Sequence, residues 1–228
     1  MNDKEILETA NLISKNLPAI PKAIDNFIEL TIGNWLEYKN SLSKEKFKYK
    51  LKEKISQIPK DKIIEPKLSI LGPALEASKY YIEEEEIREM FTNLISASMN
   101  SDSSKNIHHS FVEIIKQLSP YDAKLFKSLY DSFPLDMDSE GFCYLHSERF
   151  PSERLNTISL NNLKKQGLIE IAKEYSIERT HSDPFTSSLR RNSFHNSLMV
   201  PRKEYETIEN TYCYITELGK LFKKVCIE

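Results

Sequence analysis

The sequence predicts a mainly α, α+β protein, and three observations carry that prediction. Apolar residues recur at helical spacing through the first half of the chain. A strong helix start, Ser119-Pro120-Tyr121-Asp122, then marks a change of pattern. Behind it the elements read helix, strand-like piece, helix, strand, long loop, strand, helix. That is the order of a winged helix. The expected architecture is a helical domain over residues 1–118 followed by a winged-helix-like domain over residues 119–228. The second domain has a short antiparallel β-hairpin and a long wing insertion at 176–210.

Taken in order, residues 4–16 place Ile6, Leu7, Ala10, Ile13 and Leu17 at helical spacing. Pro18 and Pro21 punctuate the chain, and Pro21 suits the first position of a second helix over 21–38. Ile24, Phe27, Ile28, Ile32 and Trp35 share one face of it. A third helix over 43–58 is striped by Phe47, Leu51, Ile55 and Ile58, which read as core. Pro59, Pro66, Gly72 and Pro73 make residues 59–73 a connector, with an extended piece at 62–71. The chain turns helical again over 74–81. Glu83, Glu84, Glu85 and Glu86 then open a longer helix to residue 99, where first-turn carboxylates complement the positive end of the helix dipole. Its expected buried face is Ile87, Met90, Phe91, Leu94, Ile95 and Ser98. Residues 106–118 form the next helix, with Phe111, Val112, Ile114, Ile115 and Leu118 inward.

Ser119 as N-cap, Pro120 at the first position and Asp122 in the first turn open a helix to residue 131. Residues 142–145 alternate weakly, like a strand. A helix follows over 152–166 with Leu155, Ile158, Leu160 and Leu163 available for burial, and Gly167 ends it. Residues 168–177 and 212–215 read as the two hairpin strands, and Thr216 or Glu217 starts the last helix, with Leu218, Leu221, Phe222 and Val225.

Composition narrows the function. The chain has 228 residues, with 32 Lys and Arg against 34 Asp and Glu, so it projects no strong overall field and an electrostatic partner must meet a local patch. Two such patches stand out. Ten lysines against four acids lie between Lys39 and Lys67, with Lys44, Lys48 and Lys52 on one helical row. Lys164 and Lys165, with Arg154 and the wing residues Arg190 and Arg191, lie near the winged-helix reading elements. All are candidate contacts to nucleic acid phosphates or an anionic surface. The plainer reading of the first patch is a solvated face paired with the acidic run at 76–90, which holds six Glu. It has few aromatics and almost no arginine, so it lacks the groups that stack on bases or grip them bidentately.

Nothing in the sequence spells a catalytic site. Three cysteines, Cys143, Cys213 and Cys226, form no CxxC pair, which fits free thiols in a reducing, cytoplasmic compartment. No stretch approaches the roughly 20 apolar residues of a membrane span, and the N-terminus is polar where a signal peptide would be basic and then apolar. His108 and His109 are adjacent and face different ways on a helix, so capping or packing explains them better than chelation. His181, Asp183 and His195 share the insertion loop, and Cys143 with His146 lacks a third group to orient it. The chain has five glycines and no phosphate-cradling motif. The expectation is no catalytic residue, no metal and no cofactor.

Three segments together carry a resemblance. They are Glu65-Pro66-Lys67-Leu68-Ser69-Ile70-Leu71-Gly72-Pro73-Ala74-Leu75-Glu76-Ala77, residues 85–99 beginning Glu85-Glu86-Ile87-Arg88-Glu89-Met90-Phe91, and residues 109–123 ending Leu118-Ser119-Pro120-Tyr121-Asp122-Ala123. The chain resembles the Abi-alpha (abortive infection alpha) family of bacterial proteins, over residues 20–228 and most strongly over 62–126. The resemblance implies defence against bacteriophage and supplies no catalytic residues. The expected function is a non-enzymatic phage-defence protein acting through protein contacts and self-association. The alternatives are a winged-helix DNA-binding regulator or sensor, and a toxic effector that perturbs membranes through residues 20–58.

Overall fold

The structure is a computed structural model and describes residues 41–137, 143–145, 150–179 and 205–228. The helices expected at 4–16 and 21–38 lie outside these residues. Seven α-helices and one antiparallel sheet are found among the described residues, in the mainly α, α+β arrangement expected.

Helix α1, Ser41–Ser56, buries Phe47, Leu51 and Ile55 as its stripe predicts. A 3-10 turn at Lys60–Lys62 follows, and Ile63 bridges Asn100. The expected extended connector ends sooner than the sequence suggests, because α2 runs Leu68–Ser78 with Pro73 inside it. Pro73 is the sixth helical residue, past the first turn, so the helix gives up the bond that an N–H there would make to Ser69 O, and burial of the flanking stripe has to offset that cost. The stripe Ile70, Leu71, Ala74, Leu75 and Ala77 is buried on both sides of Gly72-Pro73, and that burial overrides the turn signal.

Helix α3, Glu85–Ser98, is the centre of the helical half. It packs against α1 and α2, and against three elements further along the chain. It buries its expected apolar face and also Arg88, Thr92, Asn93 and Ser96. The hydroxyls tolerate burial because they bond back into their own helix. Thr92 Oγ1 donates to Arg88 O (2.8 Å), Ser96 Oγ to Asn93 O (2.9 Å) and Ser98 Oγ to Ile95 O (2.6 Å). Helix α4, Ser110–Gln117, then buries Phe111, Val112, Ile114 and Ile115. Helix α5, Pro120–Ser128, opens with the predicted cap in full: Ser119 Oγ accepts from Asp122 N (3.1 Å) and Asp122 Oδ2 accepts from Ser119 N (2.8 Å).

The sheet has the order β2-β1-β4-β3. Strand β1, Ser132–Met137, is not expected from the sequence pattern and carries Pro134, a residue that central strands exclude. The register explains it. Ile215 donates to Asp131 O (3.0 Å), so residues 131, 133 and 135 exchange hydrogen bonds with the neighbouring strand and Pro134 does not. The side on which its N–H is missing carries β2, Cys143–Tyr144, which pairs only with Asp136 and Met137.

Helix α6, Glu153–Lys165, is capped by Ser152. It ends in a Schellman turn, with Gly167 at φ +73°, Leu168 N donating to Leu163 O (3.0 Å) and Gly167 N to Lys164 O (2.9 Å). Strands β3, Ile169–Arg179, and β4, Tyr205–Ile215, pair along their whole length. The hairpin therefore reaches further into the 176–210 insertion than the sequence pattern shows. Helix α7, Glu217–Cys226, closes the fold, capped by Thr216. Its Gly219 backbone lies so near Leu168 that an added Cβ would stand 2.1 Å from the Leu168 carbonyl oxygen, which leaves no room for a side chain.

One apolar cluster runs from Phe47 to Cys226. Phe222 of α7 packs edge-on to Phe111 of α4 (5.3 Å between centroids) and against Phe126 of α5 (6.1 Å). The closing helix of the C-terminal half thus sits in the same interior as the helices before Ser119.

Candidate interaction surface

The sequence offers Leu155, Ile158, Leu160 and Leu163 of α6 for burial, and the structure corrects half of that. Leu160 and Leu163 are buried, but Leu155 is 46% and Ile158 55% exposed. The residues that go inside with Leu160 and Leu163 are Asn156 and Ser159. Positions 156, 160 and 163 stand at i, i+4 and i+7 and form one helical face, whereas 155 and 158 fall off it. Asn156 is held there by three hydrogen bonds: its Oδ1 accepts from Tyr121 Oη (2.7 Å), and its Nδ2 donates to Phe150 O (3.0 Å) and to Cys143 O (3.5 Å). The buried amide, not the leucine pattern, fixes the rotation of the helix.

The C-terminal end of α6 is tied to the α4–α5 junction. Asn162 Nδ2 donates to Gln117 O (2.9 Å) and Asp122 Oδ2 (3.0 Å), and Gln166 Nε2 to Gln117 Oε1 (2.8 Å). What remains outward is a rigid face carrying Arg154, Leu155, Ile158, Asn161, Lys164 and Lys165, all exposed. Lys164 and Lys165 also sit in the last turn, where a cation complements the helix dipole. Two apolar side chains ringed by charge is the anatomy of an interface core and rim.

The other candidate residues lie elsewhere. Lys44, Lys48 and Lys52 of α1 are half-buried and each has a partner, with Lys48 3.9 Å from Glu45. The neighbouring row pairs with the acidic run, since Lys50 Nζ lies 2.7 Å from Glu89 and 3.8 Å from Glu85. Lys124 of α5 reaches Glu86 at 2.9 Å. Burial works against ionising Glu89, but the hydrogen bond and charge of Lys50, with Lys127 and Lys54 behind, outweigh it and hold the carboxyl below the usual carboxylate range. Arg190, Arg191, His146, His181, Asp183 and His195 lie outside the described residues.

Cysteine chemistry is closed off. Cys143, Cys213 and Cys226 are all buried and unbridged. Burial, with the charge of Asp136, pushes the Cys143 thiol up to about 11. Burial beside Cys143 pushes Cys213 up to about 12, and burial raises Cys226 well above the ordinary thiol range. His108 Nδ1 accepts the Ser110 N–H (3.2 Å) and meets its hydroxyl (2.7 Å), a local role at the start of α4. Among the described residues no three His, Cys, Asp or Glu gather as metal ligands, and no helix is long and apolar enough to cross a membrane.

Sequence reasoning misses both the exposure of Leu155 and Ile158 and the buried anchoring of Asn156. The one signal present is the polar residue at i−4 to Leu160, which is silent without the positions of Tyr121 and Phe150.

The model of a family described as abortive infection alpha matches residues 39–226. No curated protein and no solved structure gives a significant match to the chain.

Proposed function

The chain belongs to the abortive infection alpha family, and from that membership we propose that it defends a bacterium against phage by binding another protein, without catalysis, inside the cell. The observation that carries this reading is the exposed pair Leu155 and Ile158 on a helix locked in place by its inward face and its C-terminal end. Exposing two large apolar side chains at i and i+3 of a rigid helix is unfavourable in water and is relieved by a protein surface. The buried thiols and His108, held by the Ser110 hydroxyl and N–H next to it, fit a protein that works by contact.

Expression of the intact chain in a phage-challenged bacterium tests the reading. Fewer plaques together with death of the infected hosts is the expected result. Unchanged plaque numbers and unchanged survival would sink it.

A second reading is favoured by Arg154, Lys164 and Lys165 sharing the same exposed face. On that reading residues 119–228 are a winged-helix unit with α6 in the major groove of duplex DNA. Binding to a DNA duplex would then weaken with salt, and neutralising Lys164 or Lys165 would lower the salt slope by about 1 for each phosphate no longer neutralised. Salt-independent binding, or none, removes this reading.

A further inference from the structure

Away from α6, the end of α7 borders a cavity of about 280 Å³ that α3 and α5 complete. Its lining includes an apolar part, with Met90 and Ala123 buried beside the half-buried Ile227. Asn93 stands with them, 7% exposed. Asn93 Nδ2 donates to Cys226 O (3.0 Å), whereas Asn93 Oδ1 is buried and has no hydrogen-bond partner among the described residues. A buried acceptor without a donor is costly, and with Nδ2 committed, Oδ1 is the atom left to meet an occupant. The charged part of the lining is Glu85, Glu86 and Glu89 against Lys124 and Lys127, three acids to two bases. Lys50 Nζ meets Glu89 at Oε1 (2.7 Å) and Lys124 Nζ meets Glu86 at Oε1 (2.9 Å). Each of these pairs uses one oxygen of a carboxylate, which has room for about four donors.

We propose that this cavity binds an alkylammonium group, its nitrogen donating to Asn93 Oδ1 and to the carboxylates of Glu86 and Glu89. An ammonium carries three donors and no acceptor, which matches a lining whose unmet need is for a donor. Its alkyl stem lies against Met90, Ala123 and Ile227, as small-molecule sites pair an apolar wall with a few placed polar groups. An anion is disfavoured, since it meets three carboxylates and an amide oxygen that cannot donate. Asn93 also borders a second cavity, of about 240 Å³, but Lys54 and Lys224 line that one with a single glutamate, Glu228. A cation is therefore drawn to the first. The site is separate from the α6 face and does not depend on it.

Titration calorimetry on the full chain tests the proposal, with cadaverine and acetyl-lysine methylamide as probes and pentanediol as the uncharged match. At least one amine should bind, and the diol at least about tenfold more weakly. Cadaverine binding alone assigns a free amine; binding of the acetyl-lysine amide assigns a lysine side chain of a partner. Glu89→Gln should weaken the amine about tenfold, and Asn93→Leu should weaken it as well. Lys127→Gln should tighten it about threefold by removing an opposing charge, a gain that no loss of structure would produce. Circular dichroism controls for folding, and Glu89→Gln and Lys127→Gln, at partly exposed or exposed positions, carry the test if Asn93→Leu does not fold. Absence of amine binding, equal binding of amine and diol, or an affinity unmoved by both Glu89→Gln and Lys127→Gln overturns the proposal.

Discussion

Helices α3 and α6 are of similar length, and each buries polar side chains, but in different balance. In α3 the buried hydroxyls of Thr92, Ser96 and Ser98 bond to carbonyls of their own helix, while Arg88 Nη1 donates to Ile82 O (2.7 Å) and Asn93 Nδ2 to Cys226 O (3.0 Å), so neighbours close over it from several directions. In α6 the buried amide of Asn156 needs partners outside the helix, namely Tyr121, Phe150 and Cys143. That requirement chooses which face goes inward and leaves Leu155 and Ile158 in water. Hydroxyls satisfied within α3 let it be covered on several sides; an amide whose partners all lie on one side orients the half-open α6. The first kind holds the fold together, and the second presents a surface.

Four variants break or sharpen that contrast. The largest effect falls on the strut. Phe91, fully buried in α3, should cost about 3–5 kcal/mol when replaced by alanine, read as a lowered midpoint in urea with an unchanged slope. Asn156→Ala comes next, at about 2 kcal/mol, because Tyr121 Oη and Phe150 O lose their partner. An Asn156→Ala midpoint equal to wild type would contradict the claim that this amide sets the rotation of α6.

Glu89→Gln is smaller still, about 0.5 kcal/mol, since the Lys50–Glu89 pair is partly exposed and screened. Its sign with pH is fixed. The folded carboxyl lies below the ordinary range, so its contribution is present above the usual carboxylate pKa and disappears as pH falls through the lowered value. Thermal melts of wild type and Glu89→Gln should therefore converge in acid. The smallest stability change, within about 0.5 kcal/mol, belongs to Leu155→Ser with Ile158→Ser, despite the removal of two large apolar side chains. A loss of several kcal/mol there would mean that the pair packs against something in the folded monomer.

Much of the fold is legible in the sequence. The stripe of α1, the apolar face of α3, the Ser119 capping box and the Gly167 stop all rest on local rules, and local rules can be read from neighbouring residues. What escapes depends on distant partners. Helix α2 crosses Gly72-Pro73 because tertiary burial overrides a turn signal. Strand β1 accepts Pro134 because β2 is too short to need its N–H. The α6 face is partly legible: Arg154, Lys164 and Lys165 stand out as candidate contacts, whereas Leu155 and Ile158 look like core, because nothing in a one-dimensional pattern places Asn156 beside Tyr121.

The most direct test of the central claim, that the α6 face is where this protein acts, pairs stability with protection. Leu155→Glu with Ile158→Glu is compared with Tyr130→Glu plus Tyr175→Glu, which changes two other exposed side chains. Thermal midpoint and plaque count are measured at matched expression. The account predicts wild-type midpoints for both variants, with protection lost only in the first. Full protection by the α6 variant, or equal loss in both, would contradict it.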